Sequence, residues 1–408
     1  MLVAAAGNTA MQSLMPSIGR ELQIPDLWVA IAFSLSAVIW VFTAPHWAHR
    51  ADQRGRRALM RLGLYGFILS MIVCGGVLAA GLEGLLSSTA VFVIFIFGRA
   101  IYGTFGSASP PAVQAYIAAR SEGEQRTAYL AAIASSFGLG TIIGPAIAPL
   151  FIFPPLGLSG PLVIFALIGM LVLAAVVLRL PDDTPSRSAR GRVAEYPSIG
   201  GPTGESRGGD GEDGTAPLRW RDPRVFTWHM IGVVGGHGHA ALLGVIGFLV
   251  IDRLALPPSD AQHMIAIVLM AGAAATLLAQ WGLIPHLGLD PRQLVLWGSI
   301  LSAAGSAVTG LSTGLYGITL GFGLASLGFG FFRPGFTSGA SLAVSPAEQN
   351  AVAGMVTSVN GVAFVAAPAL AVAIYGASLA APFLITAALM LGLAFWVWLR
   401  FRPEAPAG

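Results

Sequence analysis

Between Pro45 and Met60 the chain reads PHWAHRADQRGRRALM, an arginine-dense turn between two apolar runs that are each long enough to cross a bilayer. Strongly charged short turns flush against such runs are held on the cytoplasmic side during membrane insertion. The feature therefore demands a chain that crosses a membrane and turns back.

Composition points the same way. Hydrophobic residues make up 55% of the 408 and charged residues 10%, against roughly 45–50% and 25% in soluble domains. The formal charge of +3 does not indicate nucleic acid, because a nucleic-acid binder clusters its basic residues on one folded face, whereas these arginines lie in turns between apolar runs. Cys74 is the single cysteine and sits inside an apolar run, which excludes a disulfide framework and a cysteine-based metal site. The opening stretch, MLVAAAGNTAMQSLMPSIG, has neither a basic region nor a small-residue cleavage site, so it reads as part of a first span rather than a secretory signal.

A span needs about 20 apolar residues, and that ruler gives twelve candidates, from 1–19 and 27–47 through 88–118, 127–152 and 315–343 to 380–400. Residues 181–223 break the series. They hold Gly200-Gly201-Pro202, Gly208-Gly209-Asp210 and Glu212-Asp213 with almost no large apolar residue, the composition of a flexible linker. The expected organisation is a six-span bundle over 1–180, a linker over 181–223, a second six-span bundle over 224–402 and a tail over 403–408. Of 22 arginines, 18 fall in alternate turns, the linker and the tail. The opposite turns hold only Arg20 and Arg253, and Arg99 and Arg333 lie within spans. This bias places linker and tail in the cytoplasm. The halves also repeat: Gly106, Pro110 and Glu124-Gln125 recur 224 residues later as Gly330, Pro334 and Glu348-Gln349, and Gly144-Pro145-Ala146 is echoed by Ala367-Pro368-Ala369.

The core of the first turn, Asp52-Gln53-Arg54-Gly55-Arg56-Arg57, resembles the D-R-x-G-R-R/K loop between the second and third spans of major facilitator superfamily transporters. Gly98-Arg99-Ala100-Ile101-Tyr102-Gly103 resembles the family's R-x-x-q-G motif, with Tyr102 where glutamine is common. Gly138 to Pro145 resembles the G-x-x-x-G-P motif of its antiporters. The chain departs from these patterns at Ala48, Arg50 and Gln53, and again at Ala148 and Pro149. The resemblance implies an all-α membrane protein of two six-helix bundles related by pseudo-twofold symmetry, with a solute site between them near the midplane, in the twelve-span drug:proton antiporter branch. Pro16-Ser17-Ile18 resembles the outer end of the family's first span. Only 15 residues precede Pro16, a rise of about 23 Å at 1.5 Å per residue, so the first helix is expected to be truncated.

The resemblance assigns Asp52, Gly55, Arg56 and Arg57 to a conformational latch, in which Asp52 accepts charge-assisted hydrogen bonds from a neighbouring span end. Gly140, Gly144 and Pro145 form the antiporter-like motif, whose glycines four apart allow close helix approach. Arg99 lies eleven residues into the fourth span, where a guanidinium faces the bundle interior or a wet cavity. No carboxylate lies near the bilayer centre, so His237 and His239 are the candidates to carry a proton, histidine being the side chain that titrates near neutral pH. Being two apart on a helix, they point to different faces. Asn8 and Gln12, four apart and hence on one face, lead the candidate cavity-lining polar residues. Tyr102, Gln280, Asn360 and Gln114 follow, and Trp40, Phe137, Trp281 and Phe364 are candidate aromatics. Arg333 is expected to snorkel to water from the tenth span's cytoplasmic end.

The expected function is export of a small apolar or amphipathic compound by alternating access and proton antiport, across a bacterial inner membrane. The expected partners are that solute, protons and the bilayer, with no cofactor, metal or nucleic acid, and the protein is expected to be a monomer. An importer of a small organic anion using Arg99 as clamp is the alternative, and a nontransporting ligand sensor or integral-membrane enzyme the alternative of another class. The arginine bias makes a direct prediction. A cysteine introduced as Ser206→Cys should resist an impermeant thiol reagent in intact cells and react in inverted vesicles; labelling from outside would reverse the orientation.

Overall fold

The computed structural model describes residues 1–118, 120, 129, 133, 136, 139–181, 218–345 and 348–400. In hydrocarbon no water is present to pair with N–H and C=O groups, so a long apolar run closes its own hydrogen bonds as a helix. Among the described residues there is no β-strand. The first half comprises α1 (Leu2–Glu21), α2 (Asp26–Arg54), α3 (Arg56–Leu82), α4 (Ser88–Phe105), α5 (Ser109–Ala118), α6 (Leu139–Phe151) and α7 (Gly160–Arg179). The second comprises α8 (Pro223–Leu254), α9 (Pro258–Leu277), α10 (Ile284–Leu287), α11 (Pro291–Leu311), α12 (Leu315–Leu342), α13 (Gln349–Tyr375) and α14 (Ala381–Arg400). Ten spans among them are long and apolar enough to cross a membrane, and α6 is a shorter apolar helix.

Helix ends follow local chemistry. Ser87 caps α4 by accepting from the Ala90 amide, and Asp290 with Gln293 forms a reciprocal capping box at the start of α11. Asp222 caps α8, where Pro223 occupies the first turn and so sacrifices no helical hydrogen bond. Gly55 separates α2 from α3 with φ 88°, a region that L side chains rarely adopt.

Two expected spans change conformation midway. The fourth is interrupted by a 3₁₀ turn at Gly106–Ala108 before α5 begins, where Pro110 and Pro111 remove amide donors. The eighth passes through a π-helical stretch, Leu278–Leu283, between α9 and α10. Pro16 costs α1 one hydrogen bond but does not end it, because the helix is packed on both sides of that residue. It continues to Glu21, and its 20 residues rise about 30 Å.

Small residues set the closest packing. α11 and α12 approach so nearly that a Cβ on Gly305 or Gly328 would meet the partner helix's backbone, at Ala325 and Ser302 respectively. The sequence repeat is visible as equivalent contacts: α6 meets α1 where Gly144 faces Ala6, and α13 meets α8 where Pro368 faces Gly244. Between the halves, α1 packs on α8 and α9, α2 packs on α13, and the 3₁₀ tail of α6 packs on α9. Large side chains such as Leu178, Tyr316 and Leu320 point outward, fully or largely exposed, as a surface solvated by lipid requires.

Candidate functional site

The seam between the halves is sealed at the end where α1, α8 and α13 finish and α2 begins. Arg20, in the last turn of α1, donates through Nε and Nη2 to the two carboxylate oxygens of Asp26, both at 2.6 Å, and through Nη2 to Asp252 Oδ2 at 3.0 Å. Tyr375, the last residue of α13, donates its hydroxyl to the same Asp252 oxygen at 2.7 Å. Asp26 belongs to the first half and Asp252 to the second, so one guanidinium ties the two together. A cavity of about 540 Å³, lined by Arg20, Gln23, Asp26, Ile251 and Pro258 among others, opens onto this network from the surface.

One turn deeper, α1 and α8 touch. A Cβ on Gly247 would lie 2.6 Å from Pro16 Cγ, and Ser17 donates to Gln262 Oε1 of α9 at 3.2 Å, with Gln262 fully buried. Gln12 lies one turn further from this seal on the Pro16 face; its side chain is half-buried and makes no hydrogen bond among the described residues. Asn8, the next turn on that face, accepts from Arg99 Nη1 at 2.9 Å.

Arg99 is enclosed. Its residue is 3% exposed, and its guanidinium carbon lies 4.6 Å from the Phe33 ring centre and 5.2 Å from that of Tyr102. These are cation–π distances. The Arg99 carbonyl accepts from Ser36 of α2 at 3.0 Å, and a Cβ on neighbouring Gly98 would lie 2.6 Å from Cys74 Sγ of α3. Arg99 thus joins α1, α2 and α4 with no carboxylate partner among the described residues. Tyr102 is buried as well, packed between a tilted Trp40 ring and an edge-on Phe67 ring, so it belongs to this arginine's enclosure.

The antiporter-like motif has a geometric cause. A Cβ on Gly140 would strike the Leu2 carbonyl, one on Gly144 would strike the Ala6 carbonyl, and Pro145 is buried beside them. The glycines therefore let the fifth span lie directly on the backbone of the first. In the latch, Arg57 donates to the Val177 carbonyl near the end of α7, and Arg56 is nearly buried. The Asp52 side chain, Phe137 and Gly138 lie outside the described residues.

In the second half, His237 Nδ1 pairs with the Val233 carbonyl of its own helix at 2.7 Å. His239 instead stacks on Phe329 of α12, ring centres 4.6 Å apart at 27°. Asn360 donates back to Val356 at 3.0 Å, and Gln280 sits half-buried within the π-helical stretch, a distortion often found at functional positions. Gln114 is likewise half-buried, while Trp281 and Phe364 are exposed. Beyond the membrane core, Arg224 reaches Glu348 at 2.8 Å; that ion pair, with Ser345 adding hydrogen bonds, holds the Glu348 carboxyl down to about 2.

The Arg20, Asp26, Asp252 and Tyr375 network escaped the sequence: its residues lie 6 to 355 positions apart, and the only local signal is an arginine and an aspartate facing each other across a short turn. Arg333 lies nine residues before the end of α12, about 14 Å along the axis, and is exposed.

Residues 1–288 match the family model described as Major Facilitator Superfamily. Over 154 residues the chain is 33% identical to the tetracycline resistance protein, class D, of Salmonella ordonez, covering 36% of this chain and 35% of that one. Over 150 residues it is 25% identical to the multidrug resistance protein MdtG of Proteus mirabilis (strain HI4320), covering 36% and 34%. The matches thus span about a third of the length of these curated relatives. Among solved structures, a bacterial homologue of the human lysosomal transporter Spinster, inward-facing and unoccupied, superposes with a TM-score of 0.72 at 12% identity, covering 100% of this chain and 96% of that one. The nucleoside transporter NupG gives 0.69 at 14% identity, with 99% and 97% covered, and the human organic anion transporter MFSD10 gives 0.63 at 19%, with 97% and 96% covered. At these identities the likeness is one of fold.

The enclosure of Arg99 makes a testable statement about Asn8. Asn8→Ala leaves a buried cationic donor without its acceptor, which costs about 1–3 kcal/mol. In a double-mutant cycle with Arg99→Met, thermal unfolding in detergent should show the two losses to be strongly non-additive; additive losses would mean that the pair contributes nothing as a pair.

Proposed function

We propose that this chain, which belongs to the major facilitator superfamily, exports a small amphipathic compound from the cytoplasm by alternating access, against an inward flow of protons. Family membership makes it a multi-pass membrane transporter and not an enzyme. The observation that carries the finer reading is the Arg20 network, a closure built from both halves at one end of the seam. A carrier that exposes its site to one side at a time needs such a closure, and one made of a few ion pairs can open again.

The matches to a tetracycline resistance protein and to a multidrug resistance protein support export of an amphipathic solute. In this reading the linker and tail are cytoplasmic, and the 46–61 turn, with Asp52, Gly55, Arg56 and Arg57, governs the opposite closure. Gly140, Gly144 and Pro145 let the fifth span ride on the first as the halves rock. Arg99 couples α1 to α4 through Asn8. Its enclosure removes Arg99 as a clamp for an organic anion, since such a clamp needs a guanidinium the anion can reach. Among the described residues no group of three His, Cys, Asp or Glu side chains gathers to hold a metal.

Inverted vesicles test this directly. Energised vesicles should accumulate tetracycline or Hoechst 33342 in a manner abolished by a protonophore. His237→Gln, His239→Gln or the double variant should lose gradient-driven accumulation while keeping downhill exchange, identifying the proton carrier. Accumulation by right-side-out vesicles instead would overturn the direction, and full activity of the double variant would reduce both histidines to packing residues.

A further inference from the structure

One cation within the spans, Arg333, belongs neither to the Arg20 closure nor to the Arg99 enclosure. Residues 322, 326, 329 and 333 of α12 follow the spacing i, i+4, i+7, i+11 and so form one stripe along the helix. Phe322, Ser326 and Phe329 are buried at 2%, 4% and 4% exposure, while Arg333, next in the stripe, is exposed. The lipid-facing side of α12 is elsewhere: Tyr316 and Leu320, 90% and 71% exposed, lie on a different face.

The neighbours of α12 confirm the direction. Phe332 and Phe336 fill the space over Gly235 and Gly232 of α8, Gly330 rests on Thr276 and Ala279 of the ninth-helix span, and Gly335 rests on Leu294 and Val295 of α11. Position 333 falls between the α8-facing and α9-facing sides. Arg333 follows Phe329 by one turn of α12, and Phe329 carries the stacked His239 ring of α8. An interior side chain that is nevertheless exposed borders open space, and the Arg20 network closes the seam at the other end, so that space opens toward the linker end.

The two intramembrane arginines therefore differ in kind. Arg99 is enclosed by Asn8, Phe33 and Tyr102. Arg333 pairs with no acidic side chain among the described residues, and it has the flat His239–Phe329 stack beside it. A guanidinium in a membrane interior is costly unless something compensates it. Its planar fork suits a carboxylate, which it can hold by two parallel hydrogen bonds.

We infer that Arg333 and the adjoining His239–Phe329 stack form an anion subsite in the second half of the transport cavity, taking the carboxylate of an aromatic organic acid whose ring lies against the stack. The inference deepens the transporter reading and rests on it for the use made of the cavity. It names a charged group on the amphipathic solute and moves the anion-binding role from Arg99 to Arg333.

Binding to the purified full chain in detergent, without any gradient, separates this inference from the direction of transport. The probes are 1-naphthoate and its neutral analogue 1-naphthamide, measured by titration calorimetry. Wild type should bind naphthoate about tenfold or more tighter, the equivalent of one charge-assisted hydrogen bond of about 1.4 kcal/mol. Arg333→Gln should erase that preference with naphthamide binding unchanged, and Arg333→Lys should retain part of it. A second measurement needs no variant: 1-naphthoate, and not 1-naphthamide, should slow modification of Arg333 by phenylglyoxal, read by peptide mass spectrometry. Equal binding or no binding of the two probes by wild type, an intact preference in Arg333→Gln, or unaltered phenylglyoxal modification would each overturn the subsite. Failure of export with the preference intact would sink the transport direction alone.

Discussion

A single guanidinium, that of Arg20, holds carboxylates from both halves of the molecule, and the rest of the seam is arranged around that junction. Asp26 anchors it within the first half through two bonds, Asp252 carries it to the second, and Tyr375 brings in α13 on the same oxygen. The ion-pair side chains are between 20% and 33% exposed. Ion pairs so open to water contribute on the order of 1 kcal/mol or less each. That modest magnitude suits a closure that must be left and re-formed, because a two-state carrier works only if its states differ by a few kcal/mol. Packing at Pro16 and Gly247 supplies shape, and the charges supply registry.

Behind that closure the membrane interior holds two cations in opposite circumstances. Arg99 is compensated inside the first half by an amide oxygen and two aromatic faces, and it acts through α1, the helix that also carries Arg20. Through Asn8 it links α1 to α4 by a hydrogen bond of 2.9 Å. Arg333 has no such enclosure and faces the space that the closure leaves accessible from the linker end.

Much of this was legible in the chain. Apolar runs of about 20 residues have little choice but helix, and glycines at 140 and 144 marked a close helix contact before the partner was known. The enclosure of Arg99 is legible as an interior role, though its partners, Asn8 and Tyr102, are not. Helix rotation was the harder quantity. In a membrane both the lipid-facing and the interior-facing sides are apolar, so periodicity does not tell them apart, and the burial of Phe322, Ser326 and Phe329 is what marks the face that carries Arg333. The Arg20 network was invisible for a different reason: Asp252 and Tyr375 are distant in sequence, and only the meeting of the two halves makes them partners. Pro16 lies inside the first helix without ending it, because a proline is tolerated where neighbouring helices pack the freed backbone.

In this mechanism the Arg20–Asp252 bridge holds one end of the seam closed. Spin labels at Glu83→Cys and Ser378→Cys, both exposed at that end and in opposite halves, report the separation directly by pulsed electron paramagnetic resonance, the native Cys74 being buried. In otherwise unaltered protein the distribution should be dominated by a single short distance. Asp252→Asn should transfer a substantial part of it to a longer distance as the end opens. An identical distribution with and without the Asp252 charge would contradict the account.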